Sequence, residues 1–173
     1  MKPFVVNVAN LVHRPARRRA EELSGPTSKL FVTETFVPEG GHLEVNVLLE
    51  AVSDGILAVG EAKVNWHAEC RRCIRPIIGL SHVEFREMYS ENPVEGETYP
   101  IKHESVDIEL VAREAILLDL PLAPLCREEC AGLCLTCGSD LNDGPCSCAP
   151  TAIDLRWTVL SGLRVDELEL PES

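Results

Sequence analysis

The sequence predicts an α+β fold with an antiparallel sheet of about five or six strands, one main helix and a cysteine-rich C-terminal module. Apolar residues alternate with mostly polar ones over residues 43–50, which is typical of a half-buried strand. Over residues 108–118 the apolar residues recur at helical spacing instead. Six of the eight cysteines lie within residues 126–148. We therefore expect an antiparallel β-rich domain with a packing helix over residues 1–120, and a cysteine-rich module over residues 121–173 packed on it.

The N-terminal part of the chain predicts two strands separated by polar sequence. Residues 4–12 are rich in valine and predict a first strand. Residues 13–22 are basic and polar and predict a loop or a short helix. A turn is expected at residues 24–27, which combine serine, glycine, proline and threonine. Residues 30–37 then predict one further strand.

The centre of the chain predicts a run of consecutive strands. The strand at residues 43–50 is followed by Ser53-Asp54-Gly55, a hairpin turn. A return strand is expected over residues 56–70, and another over residues 76–89 leads away from the intervening cysteine pair. Neighbouring strands pair by default, so these segments predict a meander.

One helix is predicted before the cysteine-rich module. Residues 91–100 are acidic and contain proline and glycine, which indicates an exposed loop. Asp107 is suited to capping the helix over residues 108–118. A last short helix is predicted over residues 154–161, and the acidic residues 166–173 are expected to fray.

The charge of the chain is strongly acidic and unevenly distributed. The formal net charge is −12 and the isoelectric point is near 4.8. Residues 1–75 hold 10 Lys/Arg and 9 Asp/Glu, whereas residues 76–173 hold 6 and 19. Such a chain does not wrap nucleic acid by bulk charge and suits a basic protein partner better. Local RNA contact is conceivable at two basic clusters: Arg14, Arg17, Arg18 and Arg19, and Arg71, Arg72 and Arg75.

The sequence predicts a cytoplasmic protein without membrane association. No run of about 18 apolar residues is present. The N-terminus resembles a weak signal peptide, but Asn7 and Asn10 interrupt it and no small-residue cleavage site follows.

The cysteine spacing predicts two structural zinc sites with four cysteine ligands each. Cys134 and Cys137 form a C-x-x-C knuckle, and Cys146 and Cys148 follow after a turn sequence, so these four predict one local site. Thiolates select zinc over magnesium or calcium, and a shell of four cysteines leaves no open position for catalysis.

The remaining cysteines predict the second site, which would clamp the middle of the chain to its C-terminal part. They form two pairs, Cys70 with Cys73 and Cys126 with Cys130. A mixed division, such as Cys126/Cys130 with Cys134/Cys137, remains open. Disulfides and a redox or iron–sulfur role are the alternatives to zinc.

Together these motifs resemble the bacterial YceD family, the large ribosomal RNA subunit accumulation proteins. The resemblance rests on residues 70–76, 107–108, 114–116, 120–138, 141–142, 146–148 and 154–157. It implies a non-enzymatic role in accumulating or processing large-subunit ribosomal RNA. The expected partners are ribosomal proteins or a pre-large-subunit particle, with no small-molecule substrate. The family provides no catalytic residues to carry over.

Two other classes of function compete with this interpretation. His67-Ala68-Glu69 imitates the H-x-E of zinc deaminases, but a matching downstream P-C-x-x-C is missing and the predicted zinc shells are closed. The second alternative is a redox-responsive zinc–thiolate switch or regulatory protein, whose cysteines release metal on oxidation.

Overall fold

The computed structural model describes residues 3–12, 14 and 16–148. The chain divides into two compact units, one ending at Cys130 and one beginning at Ala131. The described part is mostly antiparallel sheet with one helix, which confirms the predicted fold class. The domain boundary expected after residue 120 stays a prediction. The helix and the acidic tail predicted after residue 153 lie outside the described residues.

Within the described residues, all strands and the helix belong to the first unit. In chain order they are β1 (Val5–Asn7), β2 (Arg18–Thr27), β3 (Leu30–Val32), β4 (Thr35–Val37), β5 (Gly41–Val52), β6 (Gly55–Glu69), β7 (Pro76–Ser90), β8 (Tyr99–Pro100), β9 (Ser105–Asp107) and α1 (Ile108–Asp119). The strands β2 to β8 form one sheet of seven strands, where five or six were expected. β1 and β9 pair with each other in a separate two-stranded sheet.

Strand β6 is the centre of the large sheet. On one side it pairs with β5 and, further along, with β4. On the other side it pairs with β7 over nearly its whole length, from Ile56 opposite Tyr89 to Glu69 opposite Pro76. The predicted meander is therefore present, and the long β6–β7 hairpin carries its tip, the Cys70–Cys73 segment, beyond the sheet.

The N-terminal part departs from the sequence-based expectations in three places. The first strand covers Val5–Asn7 only. Residues 18–27, expected as polar loop or helix followed by a turn, form one strand that pairs along its length with β5. Pro26 fits there because β2 is an edge strand, where a missing N–H is tolerated. Residues 30–37 form a hairpin rather than one strand, and its turn includes Thr33 at a φ of +52°.

The hydrophobic core lies between one face of the sheet and the segments that cover it. Asp107 caps α1 as predicted, because its side chain accepts the backbone N–H of Glu109. The apolar face of α1 is buried, as are Phe4 and Leu11 from the N-terminal segment. The Oγ of buried Ser81 on β7 donates to a carboxylate oxygen of Asp119 at 2.6 Å, which ties the helix end to the sheet.

Two glycines let aromatic rings lie flat on this buried face. Gly79 is opposite Trp66, and a Cβ atom on Gly79 would lie 2.2 Å from the indole ring. Gly60 is opposite Phe85, and a Cβ atom there would lie 2.9 Å from the phenyl ring. Only glycine leaves room for these two cross-strand contacts.

The opposite face of the sheet carries a polar network around Glu61. The carboxylate of Glu61 accepts hydrogen bonds from Asn46 and Lys63, both at 3.0 Å, and lies 2.7 Å from Nε2 of His82. The hydrogen bonds from Asn46, His82 and Lys63 stabilise the carboxylate and lower the pKa of Glu61 from 4.5 to about 2.

Replacing Glu61 will therefore change the acid sensitivity of the protein. A carboxylate whose pKa is lowered on folding stabilises the folded state above pH 4.5, and this contribution is lost as the pH falls through about 2. We expect Glu61→Gln to be less stable than the wild type near neutral pH, with a difference that shrinks toward pH 2. Chemical denaturation at several pH values measures this difference.

A second glutamate provides the control for this experiment. Glu22→Gln, on an exposed residue of β2, is the matched variant for acid effects that all variants share. If the difference in stability between the wild type and the Glu61→Gln variant stayed constant with pH, the prediction would be contradicted.

Candidate metal centre

The first unit brings four cysteines from two distant segments together. Cys70 and Cys73 lie at the tip of the β6–β7 hairpin, and Cys126 and Cys130 follow α1. Their four sulfur atoms lie within 4.8 Å of one another. The Sγ atoms of Cys70 and Cys130 are 3.8 Å apart, and those of Cys73 and Cys126 are 3.7 Å apart. This is the group that the sequence spacing predicts, and the mixed division left open is not the one observed. We name it the first cysteine centre.

Hydrogen bonds to backbone carbonyl oxygens attach the segment after α1 to the hairpin. The N–H of Arg71 donates to the carbonyl oxygen of Pro124 at 3.0 Å. Nη1 of Arg72 donates to the carbonyl oxygens of Glu128 and Cys130, both at 3.0 Å. These contacts hold the two cysteine pairs against each other without relying on the sulfur atoms.

Thr35 provides a second anchor for the same segment. It is fully buried on β4, and its Oγ1 donates to the carbonyl oxygen of Pro121 at 2.6 Å. In the turn that precedes β4, Oγ1 of Thr33 donates to the carbonyl oxygen of Leu122 at 3.2 Å. The roles of both threonines were not predictable from sequence, because threonine is common in strands. The role of Arg72 was not predictable either, because an arginine within a C-x-x-C motif is usually a surface residue.

The two residues between Cys70 and Cys73 form a tight knuckle. The N–H of Ile74 donates to the carbonyl oxygen of Cys70 at 2.9 Å, and the N–H of Cys70 donates to the carbonyl oxygen of Arg75 at 2.8 Å. This geometry places Ile74 at a φ of +62°, in the left-handed region. A β-branched residue is rarely found there, since its Cβ substituents crowd the backbone.

The second unit contains the other four cysteines, which we name the second cysteine centre. The sulfur atoms of Cys134, Cys137, Cys146 and Cys148 also lie within 4.8 Å of one another. The Cys134–Cys137 knuckle repeats the geometry of the first: the N–H of Gly138 donates to the carbonyl oxygen of Cys134 at 2.8 Å. Here the residue at positive φ is Gly138, at +74°, which suits glycine.

Asn142 and Asp140 stabilise the loop of the second centre. The N–H of Ala131 donates to Oδ1 of Asn142 at 2.9 Å, and the N–H of Asn142 donates to Oδ1 of Asp140 at 2.8 Å. The N–H of Leu141 donates to the carbonyl oxygen of Gly132 at 2.9 Å. The turn that the sequence predicts between the two cysteine pairs is therefore fixed by side-chain as well as backbone hydrogen bonds.

In the first centre the surroundings shift the pKa values of the cysteines in opposite directions. Burial raises the pKa of Cys70, but the N–H groups of Cys126, Arg72 and Cys73 outweigh it and lower the pKa to about 6. The N–H of Arg75 favours the Cys73 thiolate, yet burial and the neighbouring thiols raise the pKa of Cys73 to about 12. Burial also raises the pKa of Cys126.

In the second centre the pKa values of the cysteines are also shifted in opposite directions. The N–H groups of Cys137 and Thr136 lower the pKa of Cys134 to about 6. The hydroxyl of Ser139 lowers the pKa of Cys137, whereas the adjacent Cys137 sulfur raises the pKa of Cys148 to about 12. Without a cation, each centre holds sulfurs that ionise readily beside sulfurs that retain their protons.

A bound metal ion would offset the electrostatic repulsion among four neighbouring thiolates. Two unit charges 4.8 Å apart repel each other by about 3 to 4 kcal/mol at an effective dielectric constant of ~20. Each centre contains several such pairs, so a bound cation is required for all four sulfurs to be ionised at once. The geometry and the donor atoms of both groups fit a thiophilic metal ion.

The RNA-contact candidates lie beside the first centre. Arg71, Arg72 and Arg75 are exposed, although one nitrogen of Arg72 is used by the two carbonyl oxygens described above. In the other basic cluster, Arg18 pairs with Glu50 at 2.9 Å and Arg19 with Glu21 at 2.5 Å, both within the sheet.

His67, the histidine of the deaminase-like motif, belongs to neither cysteine centre among the described residues. Its ring stacks on Phe36 at a centroid distance of 5.7 Å. Cys70 and Cys73 are grouped with Cys126 and Cys130 instead. Within the described ranges, no helix is long and apolar enough to cross a membrane.

The left-handed backbone at Ile74 leads us to a prediction about the stability of the first knuckle. In the Ile74→Gly variant the backbone keeps its left-handed conformation, but the cost of about 1–2 kcal/mol that this conformation has for a β-branched residue is removed. The more flexible unfolded chain of the variant lowers the free energy of unfolding by about 0.5–1 kcal/mol, which offsets part of that gain. Little packing is lost, because Ile74 is 58% exposed. We expect Ile74→Gly to leave the free energy of unfolding of the metal-loaded chain unchanged or raise it by up to about 1 kcal/mol, as measured by chemical denaturation.

Two further variants provide the controls for this experiment. Ile74→Val keeps the β-branched side chain and should retain the strain. Gly138→Val introduces the strain into the second knuckle and should destabilise it by about 1–2 kcal/mol. A clear loss of stability in Ile74→Gly would show that the knuckle does not strain this residue.

The sequence of this chain matches a known protein family. The family model described as large ribosomal RNA subunit accumulation protein YceD matches residues 58–164, which include both cysteine centres. An uncharacterized protein of Mycobacterium tuberculosis is 30% identical over 166 residues, covering 91% of this chain and 80% of the relative.

Two plant relatives match shorter segments. Both are described as large ribosomal RNA subunit accumulation protein YCED homolog 1, chloroplastic. The Zea mays protein is 40% identical over 53 residues, covering 30% of this chain and 18% of its own length. The Arabidopsis thaliana protein is 30% identical over 66 residues, covering 38% of this chain and 21% of its own length.

No solved structure matches this chain. The family match spans more than half of the sequence, and it covers the hairpin, the helix and the cysteines that the structure brings together. This chain therefore belongs to the YceD family of large ribosomal RNA subunit accumulation proteins.

Proposed function

We propose that this protein is a non-catalytic ribosome biogenesis factor, required for the accumulation or processing of large-subunit ribosomal RNA. The observation that carries the proposal is the family match across both cysteine centres. The family is described by the accumulation of that RNA, and the plant relatives carry the same description. We propose ribosomal proteins or a pre-large-subunit particle as its partners.

We further propose that each cysteine centre binds one structural zinc ion. Zinc–sulfur bonds of about 2.3 Å in a tetrahedron correspond to sulfur–sulfur distances of about 3.8 Å. The measured separations of 3.8 and 3.7 Å in the first centre agree with that value. Four-cysteine shells are typical of structural zinc, because they leave no position for water or substrate. The cytoplasm is the compartment we propose, since thiols persist there in the reduced state.

The surroundings of the two centres support a role without catalysis. His67 stacks on an aromatic ring, and Glu69 is exposed on the same strand. Neither lies in a cysteine centre among the described residues, so the deaminase-like motif lacks the metal ligands that its chemistry requires. The hypothesis of a redox-responsive zinc switch stays a prediction.

Charge favours a protein partner over bulk RNA binding. The net charge of −12 opposes a general attraction to phosphates. Direct contact with ribosomal RNA, if made, is proposed for Arg71, Arg72 and Arg75, which project from the β6–β7 hairpin tip beside the first centre.

Depleting the protein in its own cells tests the proposed function. We expect the ratio of large-subunit to small-subunit ribosomal RNA to fall, because only one of the two subunits depends on this factor. Quantifying both RNAs, with mapping of precursor ends, provides the measurement. Retained precursor ends would locate the defect at processing. Restoring the wild-type gene should restore the ratio, and an unchanged ratio after complete depletion would rule out this role.

Metal analysis tests the zinc proposal. The purified chain should contain about two zinc ions, one for each four-cysteine centre. We expect Cys73→Ser and Cys137→Ser each to lose about one equivalent, because each variant removes one of the four ligands from a different centre. Ser147→Ala, between two cysteines of the second centre, is the matched control and should keep both ions. Retention of full zinc content in both cysteine variants would contradict the assignment.

A further inference from the structure

Four side chains form a continuous row on the sheet face opposite α1. Phe31 on β3 is directly opposite Phe36 on β4, Phe36 is opposite His67 on β6, and His67 is opposite Ile78 on β7. Residues directly opposite each other project from the same face of a sheet. We name these four residues the aromatic row. It crosses four strands of the first unit and takes no part in the hydrophobic core.

The aromatic row is unusually apolar for an exposed surface. Phe31 is 68% exposed, Ile78 is 67% exposed, and the neighbouring Leu80 is 62% exposed. The rings of Phe36 and His67 are stacked, with centroids 5.7 Å apart and planes 24° apart. Contiguous apolar surface of this kind is characteristic of binding sites, whereas isolated exposed apolar residues are ordinary.

Two carboxylates flank the row on one side. Glu34 and Glu69 line the same cleft of about 520 Å³ as Phe31, Phe36 and Ile78. Glu34 precedes Phe36 by two residues and Glu69 follows His67 by two residues. Because Phe36 and His67 pair in antiparallel strands, both carboxylates lie on the same side of the row. Both are exposed.

The row already interacts with a cation of its own chain. Nζ of Lys29 lies 5.6 Å from the centroid of the Phe36 ring. A phenyl face attracts Lys and Arg by its quadrupole, so the exposed ring of Phe31 can accept a cation in the same way. The cleft therefore combines apolar area, an aromatic face, two carboxylates and the ammonium of Lys29, so its charged groups sum to one negative charge.

We propose that the aromatic row binds an extended segment of a partner protein in which an apolar residue and a Lys or Arg two positions away project from the same face. The apolar side chains would pack on Phe31 and Ile78, while a cationic side chain would contact Glu34 and Glu69. RNA bases could stack on the rings, but their phosphates would meet these carboxylates on a chain of net charge −12. Charge complementarity thus selects a basic protein segment. The inference deepens the proposed function, on which it relies only for the partner being a ribosomal protein.

Peptide binding to the full, metal-loaded chain tests this proposal. The probe is a fluorescein-labelled synthetic peptide with the repeat arginine-serine-leucine-serine, which presents arginine and leucine on one face when extended, titrated by fluorescence anisotropy. We expect Glu34→Gln/Glu69→Gln to weaken its binding about tenfold, because two charge contacts are lost. Phe31→Ser should weaken it by a similar factor, since it removes the most exposed ring.

Matched variants separate this site from the general acidity of the chain. Glu44→Gln/Glu84→Gln makes the same change in charge elsewhere on that sheet face, and should leave the affinity within about twofold of the wild type. Leu118→Ser removes an apolar side chain that is 90% exposed on α1, and should also have little effect. The same peptide with serine in place of every leucine should bind more weakly than the probe. Equal losses in both glutamate pairs would overturn the proposal, because binding would then follow the overall field.

Other occupants of the row give distinguishable results. Tighter binding of a single-stranded RNA oligonucleotide than of the peptide, lost in Phe31→Ser, would overturn the proposal in favour of RNA. A dimer that dissociates in Phe31→Ser would overturn it in favour of a second copy of this chain. The depletion experiment is independent of these outcomes. An unchanged ratio of ribosomal RNAs with peptide binding that depends on Glu34 and Glu69 would refute the biogenesis role and keep the binding site.

Discussion

Four sulfur atoms held within 4.8 Å of one another, from segments more than fifty residues apart, impose the strongest constraint on the first unit. Thiolates at these distances repel each other, so the arrangement depends on a cation or on protons. The protein also positions them by other means. A long hairpin delivers Cys70 and Cys73, and hydrogen bonds from Thr35, Arg71 and Arg72 hold the returning segment against it.

This arrangement explains why the hairpin is so long and regular. Fourteen consecutive residue pairs join β6 and β7, and α1 packs on the same sheet before the chain returns to the hairpin tip. The glycines opposite Trp66 and Phe85 allow that face to be filled by rings in spite of the low aromatic content of 5%. The knuckle at the tip is formed even at the cost of a left-handed isoleucine, which indicates that the positions of the two cysteines outweigh local backbone preference.

The two faces of the large sheet have different roles. One is covered by α1 and the N-terminal segment and supports the first cysteine centre. The other remains exposed, with the polar network of Glu61 in one region and the aromatic row in another. Among the described residues, α1 covers one face only, and Phe31 and Ile78 of the aromatic row stay exposed on the other.

Local sequence determined those features whose physical cause is local. Period-two alternation identified β5, helical spacing and Asp107 identified α1, and short cysteine spacings identified the two knuckles. The position of β2 was not predictable in this way, since its Gly25 and Pro26 favour a turn and only pairing with β5 makes them part of a strand. The hairpin within residues 30–37 was missed for the opposite reason, because no glycine or proline marks its turn.

The composition and spacing of the cysteines were enough to indicate two four-cysteine groups, because C-x-x-C pairs place two sulfur atoms together in any fold. Nearness in sequence also predicted which pairs share a centre, but only the tertiary structure decided against the mixed division, since the hairpin tip and the segment after α1 had to meet. The roles of Thr35 and Arg72 and the aromatic row were decided in the same way. Each depends on residues brought together by strand pairing or chain return, and such distances are set by the packing of the whole unit rather than by neighbours in sequence.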